Sequence, residues 1–132
     1  MLEELNIGLV AFSPLANGIL SDAYTKDDKF EEGVDFRSHM PQYTPEAFDV
    51  NRALFEYLRA LAQEKNATPA QISLAWMICK KPYIVPIPGS RKVERIRENI
   101  GAADIELTAT EVASIDEKLS QLDMSPMYGV RK

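Results

Sequence analysis

Several kinds of residue are scarce in this chain of 132 residues. There is one cysteine, Cys79, so an intramolecular disulfide is excluded, and its apolar helical setting (ISLAWMIC) predicts an inert core thiol. There is one histidine, His39, so no Ser-His-Asp arrangement has a second imidazole to draw on, and His39 reads as a solvated loop residue. No apolar run approaches the roughly 18 residues of a membrane span, and no basic leader precedes an apolar segment. Those two absences make a cytoplasmic location the default expectation. Basic residues are outnumbered 15 to 20, for a net charge of −5, which argues against nucleic acid or an anionic membrane as partner. Neither metal-ligand spacing of His, Cys and carboxylates nor an internal repeat is present.

The remaining composition, 45% hydrophobic and 27% charged, suits one domain with one core spanning residues 1–132. Leu2 and Leu5 with Glu3 and Glu4 resemble the last turn of a helix, stopped by Asn6 and Gly8, so the chain reads as opening inside an element, as a truncated chain would. Ile7 to Phe12 is a continuous apolar run, the character of a strand buried on both faces. A turn of small and polar residues follows, Ser13-Pro14-Leu15-Ala16-Asn17-Gly18. From Ser21 to Thr44 periodicity is lost, and a long loop is predicted that is either a lid or a mobile segment.

Helical patterns come next. Thr44-Pro45-Glu46 is an N-cap followed by proline, and Leu54, Phe55, Leu58, Leu61 and Ala62 predict one helix running to about Lys65. Thr68 to Gln71 is a capping box for a second helix reaching about Lys80, apolar nearly all round and therefore central, with Trp76 in the core. Thr108 to Glu111 is a third helix start, and Val112, Ile115, Leu119 and Leu122 complete an amphipathic helix. The tail from Asp123, with Pro126 and Gly129, carries no pattern.

One stretch stands out, Tyr83 to Gly101. Ile84, Val85 and Ile87 between prolines predict a short buried parallel strand. Gly89 permits a turn, Ser90 is a plausible N-cap, and Val93, Ile96 and Ile100 form one apolar helix face. Arg91, Lys92, Arg95 and Arg97 make this octet positive in an acidic protein, and a helix N-terminus already favours an anion. A phosphate is the natural ligand; a solvated basic helix face fits the spacing equally well.

Taken in order, IGLVAFSPLANGIL at 7–20, DFRSHMPQY at 35–43, ATPAQISLAW at 67–76 and VPIPGSRKVERIRENIGA at 85–102 resemble the C-terminal part of an aldo-keto reductase. That resemblance implies an α/β fold, a partial (β/α)8 barrel comprising the last two βα units plus the C-terminal helix, mostly helical, where a whole barrel takes about 250 residues. It also implies NADP(H) as cofactor and a small carbonyl substrate. By the same likeness Phe12 stacks on the nicotinamide, and Ser13, Leu15, Asn17 and Gly18 run along the pyrophosphate. Gly89 stands in the turn where many members carry lysine, Ser90, Arg91 and Arg95 hold the 2′-phosphate, and Glu98 and Asn99 meet adenine. The loop at 21–44 resembles the segment that folds over the cofactor, with Gln42 in place of an arginine often seen there. The family's catalytic Asp, Tyr, Lys and His come from earlier strands, and their motifs are absent, so this chain alone is expected to be inactive. Its open strand edges also fit a self-associating scaffold or a truncated relic.

Overall fold

The computed structural model describes residues 1–125; the predicted patternless stretch around Pro126 and Gly129 lies outside the described residues. Two short strands, β1 (Leu9–Ala11) and β2 (Ile84–Pro86), pair in parallel with Leu9 beside Ile84, Val10 beside Val85 and Ala11 beside Pro86. Five helices accompany them among the described residues: α1 (Pro45–Val50), α2 (Arg52–Glu64), α3 (Pro69–Lys80), α4 (Val93–Ile100) and α5 (Ala109–Gln121). The architecture is a partial barrel, a two-stranded parallel sheet with a helical layer on one side.

The centre is α3. Its N-terminus is closed by the predicted box, in which Thr68 Oγ1 accepts from the Gln71 N–H while Gln71 Oε1 accepts from the Thr68 N–H. Ala70, Ile72, Ser73, Leu74 and Ala75 are all buried, because α2, α5 and the sheet surround the helix. Ile72 joins Leu54, Leu58 and Ala62 of α2 in one core cluster, and Ala75 joins Val112 and Ile115 of α5 in another. The predicted box at Thr108 and Glu111 likewise starts α5.

The opening helical turn is as expected: the Leu5 N–H donates to the Met1 carbonyl (3.1 Å), and Asn6, at φ 53°, ends the turn, with the Asn6 N–H on the Glu3 carbonyl (3.2 Å) and the Ile7 N–H on the Leu2 carbonyl (2.9 Å). Several other expectations are corrected. The predicted single helix from Thr44 to Lys65 is two helices meeting at Asn51. This residue is 2% exposed, its amide donates to Ser125 Oγ (2.8 Å), and its Oδ1 accepts from the Ser125 N–H (3.0 Å). A buried Asn committed to a distant partner fixes the chain direction there, overriding a continuous apolar pattern. Trp76 is half-buried rather than a core residue; its Nε1 donates to Asp116 Oδ1 (2.9 Å) and Lys80 Nζ lies 4.4 Å from its ring centroid, which keeps the indole at the surface. Cys79 is likewise only partly buried, with Ile105 O 3.8 Å from its sulfur.

The largest correction concerns apolar surface. Neither strand is buried on both faces: Val10 is 63% and Val85 56% exposed, and Leu9, Phe12 and Ile87 are also exposed. The apolar face of α4, Val93, Ile96 and Ile100, is exposed too, and α4 buries no residue. A strand pattern records what a side chain can bury, and two strands offer one helical layer, which covers one face only.

Candidate functional site

Both turns that follow the strands lie at the carboxyl end of the sheet, and between them is a cleft of about 600 Å³. This is where parallel α/β sheets expose loop backbone and side chains to a ligand. Its lining brings together the Ser13 turn, the Pro88–Ser90 turn, the start of α4 and part of the long loop.

The first turn holds an unusual backbone. Ser13, Ala16, Asn17 and Gly18 have φ of 50°, 49°, 63° and 103°, a region that costs non-glycine residues about 1 kcal/mol or more each. Local and distant bonds hold it. Ser13 Oγ donates to Asn17 Oδ1 (3.3 Å), Ser21 Oγ donates to the Gly18 carbonyl (2.6 Å), and Tyr43 Oη donates to the Asn17 carbonyl (2.9 Å). Glycine is required at 18 on two counts. Besides its φ, a Cβ there would lie 3.1 Å from the Tyr24 ring and 3.5 Å from the Tyr43 hydroxyl.

The long loop is built, not patternless. Residues Phe36–His39 and Pro41–Tyr43 form 3₁₀ turns, and Met40 and Tyr43 are buried with Ala16 and Ile19. Tyr24, Phe30 and Tyr43 stack edge to face with centroids 4.9–5.7 Å apart. Arg37 lies against two of these rings, its Cζ 4.8 Å from the Tyr24 centroid and 4.5 Å from that of Phe30, while Asp35 takes three bonds from its guanidinium at 2.5–3.2 Å. Arg37 holds the Asp35 carboxyl down to about 2, and Asp35 in turn keeps the guanidinium firmly protonated. Burial pushes the Tyr43 phenol upward, with further upward influence from Tyr24, so it remains a neutral donor to the Asn17 carbonyl. His39 is exposed and lies outside the cleft lining. Gln42 is fully buried, its Oε1 without a hydrogen-bond partner among the described residues, and it does not line the cleft either.

On the opposite wall Ser90 does not cap α4. Lys92 is the N-cap residue and has no side-chain cap bond, whereas Ser90 Oγ accepts from the Lys92 N–H (3.1 Å), closing a tight turn one step earlier. That shift carries Ser90, Arg91 and Lys92 in the turn ahead of the helix rather than in its first turn. Gly89 has open space where a Cβ would project.

Of the eleven residues singled out from the sequence, nine line this one cleft: Ser13, Leu15, Asn17, Gly18, Gly89, Ser90, Arg91, Arg95 and Asn99. Phe12, 74% exposed at the end of β1, and Glu98 are outside the lining. The Glu98 carboxylate lies 3.2 Å from Arg95 Nη1. Lys92, noted among the basic residues beside the second strand, lines the cleft as well; Tyr24, Phe36, Arg37 and Met40 also line it and were not singled out, although Phe36, Arg37 and Met40 fall within the quoted DFRSHMPQY stretch. Spacing could not find them because loop residues 24–40 reach the cleft through aromatic stacking, which has no sequence period. Among the described residues the lining therefore carries four cations, Arg37, Arg91, Lys92 and Arg95, and no carboxylate. Such a lining is chemically suited to a multiply charged anion. No group of His, Cys, Asp or Glu suited to a metal, and no helix long and apolar enough to cross a membrane, occurs among the described residues.

A parallel sheet with its cleft at the carboxyl ends of the strands is an α/β arrangement, and it is consistent with part of a barrel. The family model for the aldo/keto reductase family matches residues 1–120, and the chain belongs to that family. It is 38% identical over 112 residues to the aldo-keto reductase str7 of Strobilurus tenacellus, and 40% identical over 114 residues to the aldo-keto reductase yakc [NADP(+)] of Schizosaccharomyces pombe. Those matches cover 85% and 86% of this chain, which spans about a third (33%) of the length of each relative. The fold is similar to that of a glycerol dehydrogenase from Gluconobacter oxydans, with a TM-score of 0.80 at 21% identity, over 99% of this chain and 39% of that one.

Proposed function

We propose that this chain carries the adenosine-phosphate side of an NADP(H) site in an aldo/keto reductase, and that the groups which transfer a proton to the substrate lie outside it. One observation carries the reading: four cationic side chains from two separate segments converge, with no acidic lining among the described residues, on a cleft between two β-to-α turns. Its volume is within the usual range for small-molecule sites. Ser90, Arg91 and Arg95 would hold the 2′-phosphate, Asn99 and Glu98 would meet the adenine edge, and Ser13, Leu15, Asn17, Gly18 and Gly89 would offer backbone and small side chains to the pyrophosphate. Lys92 adds charge beside them, while Arg37 lines the other wall with its guanidinium paired to Asp35. Phe12, at the strand end, would lie against the nicotinamide.

The bound cofactor would supply hydride chemistry to a small carbonyl compound. This chain's own part is to bind and orient. Arg95 is partly engaged by Glu98, and Arg91 and Lys92 make no ion pair among the described residues, so their charge is available to a ligand. Reduction of a carbonyl also requires an acid for the developing alkoxide. None of the cleft residues is assigned that role, so the chain by itself is expected to bind without turnover.

Titration calorimetry of the chain with NADP+ and NAD+ tests the reading. NADP+ should bind more tightly, and Arg95→Ala should reduce that preference about tenfold, since hydrogen bonds to charged groups contribute about 1.5–3 kcal/mol each. Equal affinity for the two cofactors, or an unchanged preference in Arg95→Ala, overturns the assignment.

A second reading rests on a different observation. Val10, Val85, Ile87, Val93, Ile96 and Ile100 are each 42–66% exposed, an apolar surface large for a solitary chain. In this reading the chain is a binding module that assembles through open strand edges and the α4 face. Sedimentation velocity should then show concentration-dependent assembly; a monomer at high concentration that binds no apolar dye argues against it.

A further inference from the structure

The helix that carries Arg95, Glu98 and Asn99 is weakly anchored by packing. α4 buries no residue, and Val93, Ile96 and Ile100 are 60%, 42% and 66% exposed. Apolar contact therefore does little to set the rotation and height of the helix over the cleft. One polar contact does reach it from the most buried element. Gln71 Nε2 donates to the Glu98 carbonyl at 2.9 Å, in the last turn of α4, while Gln71 Oε1 accepts from the Thr68 N–H at 3.0 Å. Each end of this one amide is thus committed, one to the N-terminus of α3 and one to the C-terminus of α4.

An independent feature shows how closely the amide is seated. A Cβ built on Gly101, the residue that follows α4, would lie 2.6 Å from Gln71 Nε2, closer than side chains tolerate. Gly101 has an ordinary right-handed helical conformation (φ −60°, ψ −13°), so backbone freedom does not explain a glycine there. Room for the Gln71 amide does. The buried Ala102 next to it, 1% exposed, keeps the backbone from backing away.

We propose that Gln71, with Gly101 making space for it, is a positioning residue for the cleft: it ties α4 to α3 and so sets where Arg95 and Asn99 stand. This rests on the nucleotide reading above for its functional consequence, but the tie itself does not. Neither residue lines the cleft. Gln71→Glu isolates the effect. A glutamate keeps the acceptor for the Thr68 N–H, and with it the start of α3, but places a carboxylate against the Glu98 carbonyl where a donor was. Gly101→Ala attacks the same contact from the other side.

Two measurements on the whole chain test the proposal. In hydrogen exchange followed by mass spectrometry, Gln71→Glu and Gly101→Ala should each accelerate exchange in α4 at least several-fold, while α2 and α5 keep wild-type protection. Unchanged α4 exchange in both variants overturns the proposal whether or not nucleotide binds. In the second measurement the probes are adenosine 2′,5′-bisphosphate and adenosine 5′-monophosphate. Each variant should lower the affinity ratio for these probes several-fold with a thermal midpoint near wild type, and the double variant should do no more than either alone. If Arg95→Ala lowers the ratio and the Gln71 and Gly101 variants do not, the positioning role is wrong and the nucleotide reading stands. If Arg95→Ala leaves the ratio unchanged, the nucleotide reading fails, and the positioning role for this ligand fails with it.

Discussion

Helices α3 and α4 show how differently two segments of one chain can use an apolar pattern. α3 is apolar on nearly every side and is surrounded by α2, α5 and the sheet, with five buried residues. α4 has a sharp apolar stripe of Val93, Ile96 and Ile100 and buries none of it. An all-round apolar helix has to be central, but a striped one only needs a neighbour along its stripe, and the described residues that touch α4 leave that stripe largely exposed. The difference assigns roles. α3 holds the domain together, while α4 presents charge to a cleft and depends on polar contacts for its placement.

The comparison breaks most sharply at Ile72. It is 1% exposed in the α2–α3 cluster, so Ile72→Ala should cost about 2–5 kcal/mol in urea unfolding. Ile96→Ala on α4, by contrast, should stay within about 0.5 kcal/mol, as surface substitutions do. If the two losses are alike, α4 is packed in solution by something that the single chain does not contain. Between these extremes lies the cap. Thr68→Ala removes the acceptor for the Gln71 N–H and should cost about 1 kcal/mol in the same assay.

A pH experiment sharpens the helical side further. Lys65 pairs with Glu111, and the Thr108 N–H and hydroxyl also donate to that carboxylate, together holding the Glu111 carboxyl down to about 2 from an ordinary 4.5. A carboxyl with a folded value below its unfolded one contributes stability above about pH 4.5, and loses it as pH falls toward 2. The thermal midpoint of wild type should therefore drop through that window more steeply than that of Glu111→Gln. Parallel curves would show that the pairing is screened at this exposed site.

Much of the helical layer was legible. Thr68, Gln71, Thr108 and Glu111 form the boxes their spacing predicts, because capping is local chemistry within four residues. The turn at Ser13 and the turn at Gly89 were legible as a pair for a related reason: each is a strand followed by small residues, and parallel strands bring their carboxyl ends to one side. Asn51 was not legible. Its partner, Ser125, is 74 residues away, and nothing in a helical period signals such a bond. Ser90 was misread as the cap, which lies two residues later at Lys92, since a serine ahead of a helix satisfies an N–H equally well in a preceding turn. Arg37 was hidden for a different reason: what commits it to the cleft wall is stacking on Tyr24 and Phe30, thirteen and seven residues upstream.

By itself, the sequence determined where α1, α3 and α5 start, which helix is central, and that positive charge gathers beside the second strand in an otherwise acidic chain. These follow from interactions between residues a few positions apart, which local order encodes directly. Only the tertiary structure decided that Arg37 faces Arg91 and Arg95 across one cleft, that α4 leaves its apolar stripe in water, and that one glutamine amide joins α3 to α4. Those outcomes depend on which surfaces the rest of the chain brings within contact distance, and that is a property of the whole fold rather than of any window along it.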